Sequence, residues 1–164
     1  MLKFFAKRKL IKELSAYLDP KAVQDLFDGR TPDALQIRSG RIEFVFLFVR
    51  ADSPQQLGDR IGLVADTGME HNAVVHNVVG PMVVIAFGTL RAEEYSPTSR
   101  TELVSRLRER FGKDIKIVHG AADGHFGPFG SKNYLAFTFT FPQFDTALAT
   151  LGRLEFGQTE ELRS

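Results

Sequence analysis

Four histidines are the residues of this sequence whose type best suits metal chemistry. His76, His119 and His125 fall near the ends of predicted strands, where facing imidazoles can hold a metal ion. No carboxylate or further histidine stands beside them at a spacing typical of metal ligands. We therefore expect these three residues, together with His71, to be surface or strand-edge histidines, and we predict no metal site and no cofactor.

Nucleophilic and phosphate-binding chemistry finds little support in the residue pattern. The chain has no cysteine, which excludes disulfides, thiolate zinc sites and cysteine nucleophiles. Gly120, Gly124, Gly127 and Gly130 form a loose glycine run, but it lacks the Lys-Ser/Thr pair of a P-loop and no helix follows it. This run instead predicts turn geometry and close approach of strands. No Ser-His-Asp constellation follows from spacing.

Length and composition indicate an ordinary globular protein. The 164 residues suit one domain with a short extension, and 43% hydrophobic with 25% charged residues is typical of such domains. The net charge of +1 gives no reason to expect a nucleic-acid partner. No apolar run is long enough for a transmembrane segment, and the lack of cysteine fits a cytoplasmic location.

The N-terminal stretch MLKFFAKRKLIKEL mixes basic and apolar residues. It has neither the apolar core nor the small-residue cleavage site of a signal peptide. A segment with this pattern could form an interfacial helix on anionic lipid. We favour the simpler interpretation, a solvated helix start or a linker.

Apolar periodicity predicts a helical lead-in over residues 1–40, followed by a single domain over residues 41–164. The strongest strand signal is RIEFVFLFVR, which is aromatic, branched and apolar on both faces, as in a central strand. Further strands are predicted over Ala73–Val79, Met82–Phe87, KDIKIVHGAADG, which runs into a glycine-rich turn, and NYLAFTFTF. Helices are predicted from Ser53-Pro54 to about Gly68, over SPTSRTELVSRLRERFG, and over PQFDTALATLGRLEFG; GHFGPFGSKN is predicted to be a loop or hairpin.

The order of elements after residue 40 is β-α-β-β-α-β, followed by a late strand and helix. This order predicts an α+β fold, a ferredoxin-like βαββαβ sheet with helices on one face. Such a fold supports many functions, so the function has to be argued from individual residues.

Several phrases, in order, resemble the class III nucleotidyl cyclase homology domain of adenylyl and guanylyl cyclases. They are LSAYLDPKAVQDLFDG, EFVFLFVRADS, VVHNVVGPMVVIAFG, IVHGAADGHFGPFGS and AFTFTFPQFDTALATLGRLEFG. The last four resemble, respectively, the first core strand, a strand hairpin, a glycine-containing segment and a late helix of that family. The resemblance implies the same ferredoxin-like fold and a domain that dimerises head to tail around a nucleotide cleft.

The resemblance also implies two metal-holding aspartates, and this sequence has neither. Cyclases use two metal ions to join a ribose 3′-hydroxyl to the α-phosphorus of a nucleoside triphosphate. The first aspartate position carries Arg50 and the second carries Pro81. Asp52 could be a displaced ligand, but Ser53-Pro54 already ends the strand, so we favour a helix-start carboxylate.

The remaining cleft positions implied by the resemblance are also altered. The base-selecting lysine corresponds to Asn77, and a second base-selecting position corresponds to Thr138. The transition-state Asn–Arg pair corresponds either to Asp145 with Ala149 or, four residues later, to Ala149 with Arg153. Either pair is incomplete. A remnant nucleotide cleft would therefore consist of Arg50, Asp52, Asn77, Thr138, Asp145 and Arg153.

Three interpretations remain, in this order of preference. The first is a degenerate, catalytically inactive cyclase domain, a pseudoenzyme that forms a homodimer or binds a protein partner. The second is a nucleotide sensor without turnover, in which Arg50 partly replaces a metal's charge. The third is an atypical active nucleotidyl cyclase that uses Asp52 and other carboxylates.

Overall fold

One long apolar strand, β1, lies in the middle of the sheet in the computed structural model, which describes residues 36–89, 96, 98–131 and 134–163. The helices are α1 (Pro54–Glu70), α2 (Ser99–Phe111) and α3 (Phe144–Arg153), and a short 3₁₀ turn covers Gly112–Asp114. The strands are β1 (Arg38–Val49), β2 (Val74–Val79), β3 (Met82–Phe87), β4 (Ile115–Ser131), β5 (Tyr134–Thr140) and β6 (Thr159–Leu162).

The predicted βαββαβ order is confirmed. The strand order in the sheet is β2-β3-β1-β4-β5, every neighbouring pair in it is antiparallel, and β6 adds to β4 in parallel. The predicted N-terminal helices lie outside the described residues. The boundary between a lead-in over 1–40 and a domain over 41–164 stays a prediction, although β1 already begins at Arg38.

The core has two layers because successive side chains of β1 point to opposite faces of the sheet. Val45, Leu47 and Val49 pack with α1 and α2 on the first face. Ile42, Phe44 and Phe46 pack with β5 and α3 on the second face. The two helices of the βαββαβ unit therefore share one face, as predicted, while α3, which follows that unit, covers the other.

The β4–β5 end of the sheet folds over the second face. Phe139 of β5 lies 6.3 Å from the ring centre of Phe46 on β1, and 4.9 Å from that of His76 on β2. β2 and β5 are at opposite ends of the strand order. Contact between them requires a strongly curled sheet, and this curl encloses the phenylalanine-rich second layer.

The predicted turn within the glycine run is wrong, because β4 continues through it to Ser131. The glycines serve close packing instead. A Cβ on Gly120 would lie 2.7 Å from the carbonyl oxygen of Leu162, and one on Gly124 would collide with the carbonyl oxygen of Thr140. The close approach expected of these glycines is thus present inside a strand, where β6 and β5 lie alongside it.

Candidate functional site

Arg50 and Pro81, the two positions that the resemblance assigns to metal-holding aspartates, lie next to each other. Phe48 of β1 pairs with Met82 of β3, and the amide of Val49 donates a hydrogen bond to the carbonyl oxygen of Pro81 at 3.0 Å. Gly80 supplies the positive φ of 55° that the β2–β3 turn needs. Both positions therefore lie where β1 ends beside this turn.

The exposed side chain of Arg50 stacks on an aromatic ring. Its guanidinium carbon lies 4.3 Å from the centre of the Phe156 ring. Its backbone amide donates to the carbonyl oxygen of Asp114 at 2.7 Å, and its own carbonyl oxygen accepts a bond from Arg60. Arg60 also pairs with the Asp114 carboxylate at 2.9 Å. The end of β1 is thus fixed, and Arg50 stays at the surface.

A second cation, Lys116, borders the same ring. Its ammonium nitrogen lies 5.5 Å from the centre of Phe156 and 5.1 Å from that of Phe48. It donates to the carbonyl oxygen of Leu154 at 3.0 Å, at the end of α3, where the helix dipole favours a cation. We call Arg50, Lys116, Phe48 and Phe156 the Phe156 cluster. These side chains do not fit a metal ion, because none of them is an oxygen ligand and two are cations.

Asp52 lies at the entry to α1. Ser53 is the N-cap, and its hydroxyl accepts a bond from the amide of Gln56 at 3.2 Å. In return, Oε1 of Gln56 accepts a bond from the amide of Asp52 at 2.6 Å. These reciprocal bonds resemble a capping box displaced by one residue, and they place the exposed Asp52 just before the helix, as the helix-start interpretation requires.

Asn77 directly follows His76, and Thr138 directly precedes Phe139. The rings of His76 and Phe139 are in contact. Asn77 is exposed and pairs with Val84, so it shares the second face of the sheet. His76 forms a bulge before it and shares a hydrogen bond of 2.8 Å with Thr89. Thr138 is half-buried on the polar side of β5, the side opposite Phe139.

The other two predicted cleft residues lie at opposite ends of α3. Asp145 is in the first turn and Arg153 in the last, which are the ends that the helix dipole favours for these charges. Arg153 donates to the hydroxyl of Thr150 at 3.1 Å. Its turn adjoins the Phe156 cluster through Leu154, whereas Asp145 lies about 12 Å farther along the helix. The end of α3 that carries Arg153 is therefore the one next to the Phe156 cluster, and Asp145 lies at the other end.

Solved structures with a similar arrangement of strands and helices include nucleotide cyclases. The adenylyl cyclase CyaB from P. aeruginosa superposes with a TM-score of 0.64 at 11% identity, covering 76% of this chain and 78% of its own. The guanylate cyclase domain of RhGC from Catenaria anguillulae in complex with GTP gives 0.60 at 12%, with 74% and 78% covered. A non-canonical dimeric guanylyl cyclase domain of RhoGC from Blastocladiella emersonii gives 0.59 at 10%, with 74% and 79% covered.

This chain has the fold of a nucleotidyl cyclase domain. No protein-family model matches it, and no curated protein matches its sequence. At these identities the likeness concerns the fold alone. Within this cyclase fold, Arg50 directly follows the end of β1 and Pro81 directly precedes the start of β3, the strand beside it.

A charged network lies on the first face of the cyclase fold. Arg100 of α2 donates from its three guanidinium nitrogens to Glu43 at 3.1 Å, to Nδ1 of His119 at 2.8 Å and to Glu161 at 2.9 Å. His119 is 7% exposed, and its burial, together with the Arg100 charge, lowers its pKa. Sequence reasoning missed this network, although Glu43 within an apolar strand is a signal that could have indicated it.

An open cleft of about 600 Å³ lies at the start of β1, away from the Phe156 cluster. Ser39 and His125, paired across β1 and β4, share a hydrogen bond of 2.9 Å at its wall. None of the predicted cleft residues lines it. Within the described ranges, no group of three or more His, Asp or Glu side chains could hold a metal ion, and no helix has the length and apolar character to cross a bilayer.

Proposed function

We propose that this chain is a catalytically inactive domain with the cyclase fold, which acts as a regulatory, dimerisation or protein-interaction module. The observation that carries the proposal is the pair Arg50 and Pro81, adjacent at the ends of β1 and β3. In the family that the sequence resembles, these are the positions of the two metal-holding aspartates.

The charge at this end of the sheet argues against metal-dependent cyclisation. Mg²⁺ and Mn²⁺ need carboxylate or other oxygen ligands. Arg50 and Lys116 instead present two fixed positive charges around one ring, and Pro81 offers no side-chain ligand. A divalent cation placed here would meet repulsion rather than ligation. Asp52 does not compensate, since it lies at the entry to α1.

Nucleotide binding without turnover is the second candidate. The same two cations, Arg50 and Lys116, could attract the negative charge of a triphosphate in place of metal ions. One structure with this fold was solved with GTP bound. This candidate ranks below the first because Lys116 already donates to the end of α3. An atypical active cyclase using Asp52 ranks third.

A homodimer is the partner that the surface supports best. Val78 and Val79, at the end of the outer strand β2, are 43% and 55% exposed. Val79 pairs with Met82, so it shares the second face with Asn77 and adjoins the β2–β3 turn. Exposed valines beside the candidate cleft suit an interface there, and a dimeric domain occurs among the structures with this fold.

Calorimetry and turnover assays separate these candidates. The protein would be titrated with ATP, GTP and their cyclic products, with and without Mn²⁺, and cyclic nucleotide formation would be measured in parallel. The first candidate predicts neither heat nor product, together with a mass that doubles as concentration rises in analytical ultracentrifugation. Saturable binding without product would favour the sensor. Mn²⁺-dependent product above background would overturn both and favour the atypical cyclase.

A further inference from the structure

Strand β6 is the element of the described sheet that is most weakly attached. It has four residues, Thr159–Leu162, all of them exposed or half-buried, and it pairs only with the edge of β4 among the described strands. Two further backbone hydrogen bonds lie next to its start, donated by the amides of Gly157 and Ile117 at 2.7 and 3.1 Å. Short edge strands with exposed side chains open at low free energy.

Side chains from two residues of α2 hold β6 in place. Arg108 donates to the hydroxyl of Thr159 at 2.7 Å, and Arg100 pairs with Glu161 at 2.9 Å. The Arg100 pair is the better shielded of the two, because the Arg100 side chain is only 13% exposed. Arg100 can make this bond only while its guanidinium keeps its present orientation.

His119 fixes that orientation. Nδ1 of His119 accepts a bond from Arg100 at 2.8 Å, so this nitrogen carries no proton. The charged groups that face His119 are Arg100 from α2, Glu43 from β1 and Glu161 from β6. Glu161 is also the residue opposite His119 in the β4–β6 pairing. A proton on Nδ1 would bring two donors and two positive charges together at hydrogen-bond distance.

We propose that β6 is a proton-controlled latch, closed by neutral His119 through Arg100 and released when the imidazole takes up a proton. Phe156, which stacks on Arg50, lies three residues before β6, so an opening that extends to it would also uncover the cation at the end of β1. The latch does not depend on the proposed function. It predicts a change of accessibility whether or not a nucleotide binds.

The direction of the pH effect follows from linkage. Burial is the largest cause that lowers the pKa of His119 in the closed state, followed by Arg100, while Glu161 opposes them. We expect opening at β6 to raise this pKa toward 6.5, because it exposes the imidazole to water and so removes the largest cause. Above pH 6.5, His119 is mostly neutral in both states, so a change of pH does not alter how often β6 opens. Below it, opening becomes more frequent, by at most tenfold for each pH unit for a single proton, until the closed state is protonated as well.

Hydrogen exchange with mass spectrometry on the whole chain tests the latch. Protection of the peptide covering β6, corrected for intrinsic exchange, should be constant above pH 6.5 and fall below it, while β1 and β3 stay protected. Constant protection down to pH 5, or a loss that begins only below about pH 4.5, where carboxylates titrate, would overturn the proposal.

Variants make the test specific. His119→Asn keeps an acceptor near the position of Nδ1 but cannot take up a proton, so its β6 protection should be independent of pH; a wild-type pH profile in this variant would overturn the proposal. Glu161→Gln should weaken β6 protection at neutral pH, and Glu160→Gln, on an exposed neighbour, should not. If His119→Asn fails to fold, the wild-type profile and this glutamate pair still decide the question.

Discussion

The guanidinium of Arg50 stacks on the ring of Phe156, with 4.3 Å between the guanidinium carbon and the ring centre. The contact joins the end of β1 to the segment between α3 and β6, far apart in sequence. It places a fixed positive charge and an apolar ring at the position that the resemblance assigns to a metal-binding carboxylate. Two consequences can be measured, one for stability and one for metal binding.

Replacing Phe156 with leucine should lower the free energy of unfolding by about 0.5–1 kcal/mol, because a leucine keeps apolar bulk but loses the cation–π contact with Arg50. Urea unfolding followed by circular dichroism measures the change. The double variant Arg50→Gln/Phe156→Leu should be close in stability to Phe156→Leu alone, since the leucine has already removed the contact that Arg50→Gln would lose. Simple additivity of the two single changes would contradict the contact.

Restoring both carboxylates, Arg50→Asp with Pro81→Asp, should create Mn²⁺ binding that the wild-type chain lacks. The two side chains would then lie at the adjacent ends of β1 and β3. At a hundredfold excess of Mn²⁺ over Kd, binding raises the free energy of unfolding by about 2.7 kcal/mol. Thermal melts with and without Mn²⁺ provide the readout. Each single variant is the control, and an equal Mn²⁺ shift in the wild type would refute the charge argument.

Replacing Gly124 with alanine should cost about 2–3 kcal/mol, because the new Cβ meets the backbone carbonyl of Thr140 and little can move to make room. Gly58→Ala is the matched control. Gly58 lies inside α1, where an added Cβ would have nothing within 4 Å, so alanine there should stabilise the fold by about 0.5–1 kcal/mol. Chemical denaturation of both variants checks the contrast, and equal effects would count against it.

Replacing Arg100 with lysine should lower the free energy of unfolding by about 1–3 kcal/mol, even though the charge is kept. A compact ammonium cannot reproduce the fork that reaches Glu43, His119 and Glu161 together. Arg106→Lys, on the exposed face of the same helix, is the control and should be nearly neutral. A lysine variant as stable as the wild type would show that the three bonds contribute little.

The stability of the whole domain should depend on pH through His119. Because its pKa is lowered in the folded state, the unfolded chain binds more protons between that folded pKa and 6.5. The stabilisation is fully present above pH 6.5 and decreases as the pH falls through this window. Urea midpoints measured across the window should fall with acidification in the wild type and fall less in His119→Asn. An unchanged slope in the variant would assign the effect to another group.

Much of the fold can be predicted from apolar periodicity, and the exceptions have physical reasons. The second strand of the β2–β3 hairpin, Met82–Phe87, has its predicted bounds, because branched apolar residues flank a turn with Gly80. Strand β6 escapes prediction because its sequence, TEEL, has adjacent glutamates and no alternation. Its conformation comes from the free edge of β4, which depends on the tertiary structure.

The candidate site, like the fold, can be predicted from the sequence only in part. The proximity of Arg50 and Pro81 follows from one strand pairing, which the hairpin and the central strand already indicate. The ring that covers Arg50 could not be predicted, because Phe156 reaches it only after α3 crosses the second face and the chain returns along β4. Arg100 and its three partners come from four different elements, so no local pattern reports them.

The pairing of β1 also has a consequence for biosynthesis. This strand lies opposite β4 over its whole length, from Arg38 beside Phe126 to Val49 beside Ile115. On the ribosome, this long and largely apolar strand therefore emerges long before the segment that shields its second edge. Until β4 is made, a nascent chain exposes that edge, which is the kind of surface that chaperones bind and that aggregates recruit.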